Sequence, residues 1–265
     1  MFPDVYSLRE FWALCAYPKV RQPESFPDVS KCFQKFARHL HLMYVLQTRP
    51  PPQPKVSLIT HPIVKNMDPV QAINSFISSI NYADQPEGSS IPEQIQYYLE
   101  LLHKNPSIKR IVEIGFNLGI SAAAFLAARP DTHVVSIDIG AHAYVLPAKR
   151  NIDKHFPGRH SLVVGDSTTT VPFLHGFFNN PNPVDLFMID GYHVEPVPRI
   201  DLSNALAWCG PETYIIVDDV CATYGGEGVN DAVRDALSAG TVKFVEHKSA
   251  QDRGWVLLKR GPNAG

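Results

Sequence analysis

The chain has 265 residues, 45% of them hydrophobic and 19% charged. That balance supplies a sizeable core and excludes wholesale disorder. Lys and Arg number 24 against 26 Asp and Glu, a formal charge of −2, which argues against a protein built to wrap nucleic-acid phosphates. The four cysteines, Cys15, Cys32, Cys209 and Cys221, have neither zinc-knuckle nor redox-motif spacing. They read as reduced thiols of an intracellular, cytoplasmic protein.

The opening MFPDVYSLREFW lacks the basic stretch and apolar core of a secretory signal. Helical spacing places Cys32, Phe33, Phe36, Leu40, Met43 and Tyr44 together over residues 28–47. RPPPQPK at 49–55 reads as a polyproline-type connector. A second helical stripe runs through Val70, Ile73, Phe76, Ile77 and Ile80. Residues 1–89 thus form a helical, proline-containing extension without recognisable chemistry, suited to a cap, a substrate lid or an oligomer surface.

From residue 90 the signals sharpen. Ser90 and Glu93 have capping-box spacing, and Ile91, Ile95, Tyr98, Leu99 and Leu102 follow on one helical face that Asn105-Pro106 ends. Five nearly continuous apolar runs come next, at 110–114, 133–137, 161–164, 184–189 and 214–217. Such runs suit strands buried on both faces of a parallel sheet. The intervals are long enough for crossover helices, and 121–128 and 200–208 have helical composition. The most apolar window, 111–128, contains Glu113, Asn117 and two glycines and is followed by Pro130, so it reads as strand, turn and helix and not as a membrane span. Residues 241–246 and 255–259 alternate and would close the sheet as an antiparallel pair. The expected fold is α/β, a doubly wound, mostly parallel seven-stranded sheet over residues 90–265.

Two features carry chemistry. In IVEIGFNLGIS, at 111–121, a buried strand ends in a glycine turn that opens a small-residue helix. The spacing is GxxxG, not the GxGxxG of dinucleotide binders, so a nicotinamide-dependent oxidoreductase is disfavoured. Secondly, each of the next four apolar runs ends in a carboxylate: Asp138, Asp166, Asp190 and the pair Asp218-Asp219. In an open parallel sheet these ends line one crevice, where ligands bind. Any single Asp there could equally be a helix cap or a turn former.

The segment from Ser90 to about Arg260 resembles the class I S-adenosylmethionine-dependent methyltransferases, and within them the catechol O-methyltransferase-like enzymes. The resemblance lies in VEIGFNLGISA, in MIDGYH, and in Gly210-Pro211 followed by YIIVDDV. It implies a Rossmann-like methyltransferase fold and S-adenosylmethionine as cofactor. Gly115, Asn117 and Gly119 would wrap its methionine part, and Glu113 would orient that loop or bind the amino group. Asp138 would accept hydrogen bonds from the ribose hydroxyls, and Asp166 and Ser167 would face the adenine. Asp190, Asp218 and Asp219 would hold Mg2+, which would bind the acceptor hydroxyl and lower its pKa. The family often has Asp-Asn where this chain has Asp218-Asp219. Asp190 and His193 are the candidate catalytic pair, with His193 as general base or metal neighbour.

The implied reaction is methyl transfer to a hydroxyl of a small-molecule acceptor, with no nucleic-acid partner and no membrane segment. A protein, lipid or RNA acceptor, or a binding protein of the same fold without activity, are the alternatives. Tyr192 reads as substrate packing or an ordinary half-buried tyrosine. Residues 224–228, YGGEG, read as a lid or a plain connector, and Arg199 and Asp201 as helix-surface charges.

Overall fold

The computed structural model of the chain describes residues 68–80, 88–178, 184–220 and 226–264. The expected helix at 28–47, the connector at 49–55, Cys15, Cys32 and Cys221 lie outside them. The chain divides into two units, and every described residue falls in one of them; the other, Arg9–Pro62, is outside the described residues.

In chain order the elements are α1 (Pro69–Ser78), α2 (Pro92–Lys104), β1 (Arg110–Ile114), α3 (Ile120–Ala128), β2 (His133–Asp138), α4 (Val145–His155) and β3 (His160–Val164). They continue with α5 (Ser167–Phe178), β4 (Val184–Ile189), α6 (Val197–Trp208), β5 (Cys209–Val217), α7 (Glu227–Ala239), β6 (Val242–Ala250) and β7 (Arg253–Arg260). The strands form one sheet in the order β3-β2-β1-β4-β5-β7-β6. The first five are parallel, and β7 enters antiparallel between β5 and β6. The fold is therefore the doubly wound, mostly parallel seven-stranded sheet that the apolar runs predict.

Alternate residues of the central strands face opposite ways and feed two cores. Leu186, Met188 and Ile216 pack with α1, α2, α3 and α4 on one face. Phe187, Ile189 and Ile215 pack with α5, α6 and α7 on the other. This is why the central strands read as unbroken apolar runs: neither face is wet. Helix α3 sits deepest. From Ile120 to Leu126 every residue is buried, because α1 and α2 pack over the side that the sheet leaves open. Ile73 and Phe76 of α1 are almost fully buried; each such side chain removed from water contributes about 1.5–3 kcal/mol.

The start of α2 differs by one residue from the expected capping box. Ile91 is the N-cap and Pro92 the first helical residue, a position where proline's missing N–H costs nothing. The reciprocal partner is Gln94, whose Oε1 accepts the Ile91 N–H at 3.0 Å. Residues 227–228, read from sequence as part of a loop, form the first turn of α7.

Candidate functional site

The strand ends are held level. Ile114 is in register with Ile137 of β2 and with Ile189 of β4, and Ile189 with Val217 of β5. The ladder continues one step past the strands: Gly115 N–H donates to Ile137 O, Asp190 N–H to Ile114 O and Asp218 N–H to Ile189 O, all at 2.8–3.0 Å. The glycine turn and the carboxylates after β2, β4 and β5 therefore open on one side of the sheet. The chain leaves β1 toward β2 and returns beside it as β4, so the crevice between β1 and β4 is where an open α/β sheet binds ligands.

Gly115 is dictated by this crowding. Its φ is +90°, and a Cβ there would stand 1.8 Å from the carbonyl oxygen of Asp190. No other residue lets the tips of β1 and β4 lie so close. Beyond it, the turn is shaped by Asp138. One oxygen of its carboxylate accepts the N–H groups of Phe116 and Asn117, each at 2.9 Å, and the other accepts that of Gly140 at 2.7 Å. The expected ribose acceptor is thus also what fixes the glycine turn. Asn117 donates its side-chain amide to Gly88 O at 3.0 Å, which ties the segment before α2 to the turn. Gly119, at φ +75°, is the N-cap of α3.

Glu113 lies under this turn, fully buried. It accepts hydroxyl hydrogens from Ser121 at 3.1 Å and Ser136 at 2.6 Å, and Ser136 Oγ is 2.7 Å from His160 Nε2. Burial lifts the Glu113 carboxyl to about 8 and holds His160 down at about 3, so at neutral pH the network is close to uncharged. His160 stacks on Phe116 with ring centroids 5.0 Å apart. The network supports the turn from below.

Asp166 is exposed at the tip of β3 and accepts the Thr168 N–H at 2.9 Å and the Thr168 hydroxyl at 2.7 Å, as a cap for α5. Ser167 follows as the first residue of α5 and faces Asp201. Asp201 is not the surface charge expected from sequence. It is fully buried, beneath Gly191, and burial raises its pKa to about 6. Arg199 is on the surface, paired with Glu195 and Asp235 at 3.0 Å each.

The tips of β4 and β5 bring acids together. Ligand atoms of Asp190, His193 and Asp219 lie within 4.8 Å of one another. Burial first, then Asp218 and Asp219, push the Asp190 pKa well above the ordinary carboxylate range. Burial and Asp219 likewise raise Asp218 to about 7. Asp218, beside the cluster, is held from the α2 side. Both its oxygens accept from the Gln94 side-chain amide, at 2.7 and 2.8 Å, and Oδ1 also accepts the Asp219 N–H at 2.9 Å. Asp219, at φ +54°, has His193 Nε2 3.3 Å from its Oδ2. Arg253, at the start of β7, donates Nη1–H to Asp219 Oδ1 at 3.0 Å and Oδ2 at 3.2 Å. Tyr192 is 66% exposed, which leaves it available to a ligand.

Residues 112–220 match the family model described as a methyltransferase domain. The fold is that of the class I S-adenosylmethionine-dependent methyltransferases. Among solved structures, an O-methyltransferase from Bacillus cereus in complex with S-adenosylhomocysteine matches at 16% identity, over 75% of this chain and 94% of that one, with a TM-score of 0.59. An O-methyltransferase assigned as such from Klebsiella pneumoniae matches at 18% identity over 75% and 92%, with a TM-score of 0.58. The Podospora anserina methyltransferase PaMTH1, bound to S-adenosylhomocysteine, matches at 14% identity over 91% and 99%, with a TM-score of 0.56. No curated relative matches the sequence.

Within this methyltransferase fold, sequence reasoning missed Gln94, Arg253 and Asp201. It also passed over Ile139 and Val194, apolar side chains 67% and 56% exposed just past the tips of β2 and β4. For Ile139, a large apolar residue directly after the strand-end Asp138 was the available signal. For the divalent ion, the donor chemistry decides the fit. A hard cation needs carboxylate oxygens free to turn toward it. Here both oxygens of Asp219 are engaged by a guanidinium and both oxygens of Asp218 by an amide. Asp190 and His193 alone are a poor oxygen set, and the residues as arranged do not fit Mg2+. Among the described residues, no helix is long and apolar enough to cross a membrane.

Proposed function

We propose that the protein transfers the methyl group of S-adenosylmethionine to a hydroxyl of a small-molecule acceptor. The observation that carries this reading is the level row of strand ends. It sets a glycine turn pinned by Asp138 beside the acid and imidazole groups of Asp190, His193 and Asp219. The turn and Asp138 would hold the methionine and ribose of the cofactor, with Asp166 and Ser167 toward the adenine. Exposed Ile139 offers an apolar face to the nucleoside, and exposed Tyr192 and Val194 offer one to the acceptor. The O-methyltransferase neighbours support the same reading.

The chemistry requires a proton acceptor. The acceptor oxygen attacks the methyl carbon, the C–S bond breaks with its electron pair going to sulfur, and the sulfonium becomes a neutral thioether. The hydroxyl proton must leave as the O–C bond forms. Asp219 orients His193 through Nε2, which leaves Nδ1 as the nitrogen to take that proton. Asp190 would hold the hydroxyl by a hydrogen bond from the β4 side. Because the donor set does not fit it, the Mg2+ expected at Asp190, Asp218 and Asp219 takes no part in these steps.

Calorimetric titration with S-adenosylhomocysteine and, separately, NAD tests the cofactor class: the former should bind and the latter should not. S-adenosylmethionine turnover against a panel of hydroxyaromatic and aliphatic hydroxyl acceptors then tests the reaction. His193→Ala should lower kcat by about 100-fold or more while S-adenosylhomocysteine binding is retained. A chain that binds no S-adenosylhomocysteine at millimolar concentration would end this reading.

A further inference from the structure

The carboxylates at the tips of β4 and β5 come with a cation built into the chain. Asp190, Asp218 and Asp219 converge in a half-buried to buried setting, where three unbalanced negative charges would be costly. Two devices offset them. Gln94 directs its side-chain amide nitrogen at both oxygens of Asp218. Arg253 places its Nη1 between the two oxygens of Asp219, whose side chain is only 4% exposed.

The position of Arg253 is set by backbone and not by chance of side-chain rotamer. Its neighbour Gly254 approaches β5 so closely that a Cβ there would stand 2.0 Å from the carbonyl oxygen of Val220. That contact, next to Asp219 in sequence, fixes the start of β7 against the tip of β5. On its other side Arg253 Nη2 lies against Gly88, the residue whose carbonyl accepts from Asn117 of the glycine turn. The guanidinium therefore lies, half-buried, between the acid tips and the segment that crosses the glycine turn. A divalent ion shared by Asp190, His193 and Asp219 would have to displace it, because Arg253 covers both Asp219 oxygens.

We propose that Arg253 is the resident cation of this cluster: its guanidinium occupies the electrostatic place a divalent ion would fill, and the site works with a protein-borne charge. The proposal rests on the methyl-transfer reading for what the site does, but the assignment of the cation stands on the geometry alone. Arg253 pairs with Asp219, which in turn faces His193 Nε2. It also leaves a fixed positive charge beside the place where the acceptor hydroxyl gives up its proton.

The test uses Mn2+ as a paramagnetic probe, read by the loss of its free-ion electron paramagnetic resonance signal, on the full chain with and without S-adenosylhomocysteine. Wild type should leave the Mn2+ signal unattenuated at equimolar protein. Arg253→Met should take up one Mn2+, with affinity at least about tenfold tighter than wild type once the competing positive charge is gone, and adding Asp219→Asn to it should abolish the gain. If Arg253→Met fails to fold, Arg253→Gln removes the same charge while keeping hydrogen-bond donors. The assignment is overturned if wild type binds Mn2+ one-to-one and loses it on Asp219→Asn, or if a folded charge-removing variant binds no better than wild type. S-adenosylhomocysteine calorimetry on the same samples keeps the two questions apart: loss of nucleoside binding counts against the methyl-transfer reading and leaves the cation result standing.

Discussion

Gln94 reaches from the first turn of α2 to the tip of β5, and Gln94→Leu shows what that reach is worth. The substitution removes the side-chain amide donor that lies 2.7 and 2.8 Å from the two Asp218 oxygens and the acceptor of the Ile91 N–H. Hydrogen bonds to an ionised group contribute about 1.5–3 kcal/mol, and a neutral one about 1 kcal/mol. The expected loss is about 3 kcal/mol when Asp218 is ionised and about 2 kcal/mol when it is protonated. The sign follows from linkage. Asp218 lies at about 7 in the folded protein against an ordinary 3.8, so the native state keeps a proton that the unfolded chain has released. Stability from this group is full below pH 4 and falls as pH rises through 7. Gln94 opposes that fall, so its removal pushes Asp218 higher and steepens the loss. Thermal unfolding should show Gln94→Leu lowered by about 4–8 °C at pH 5 and by about 6–12 °C at pH 8. A loss equal at both pH values would mean that Gln94 serves packing or the helix start alone, and the electrostatic argument would fail.

Gly115→Ala should cost about 3 kcal/mol or more, because the new Cβ meets the Asp190 carbonyl and the backbone is left-handed; calorimetry should find S-adenosylhomocysteine binding lost, and intact binding would contradict the level strand tips. Asp201→Asn should be more stable than wild type at pH 8, by at most about 3 kcal/mol from a carboxyl raised to about 6. That gain should vanish near pH 4 in urea unfolding, and a variant weaker than wild type at pH 8 would show that the carboxylate is bound as an anion.

The parallel strands were legible because burial on both faces leaves a continuous apolar run. Their carboxylate ends were legible because a register kept over five strands brings residues at similar intervals to the same edge. What the sequence hid follows from distance. Gln94 meets Asp218 across 124 positions and Arg253 meets Asp219 across 34, and no local period announces such pairs. Asp201 looked like an exposed charge because a helical Asp beside Arg199 usually is one. Only the packing of α6 beneath Gly191 reveals otherwise. Helix α5 was masked locally by a Thr run and by Pro172 inside it, both poor helix signals that tertiary packing overrides. Helix α7 was hidden at its start by glycines that read as a turn.

Helix α3 has a consequence for anyone who would shorten this protein. Its outer side is kept dry partly by α1, a helix from the stretch that composition alone would assign to an appendage. A version trimmed to begin at Ser90 would strip Ile73 and Phe76 from their seats and wet the alanine face directly behind the glycine turn. Such a trimmed chain should be sticky and loosely ordered behind the glycine turn, so a working unit has to include α1.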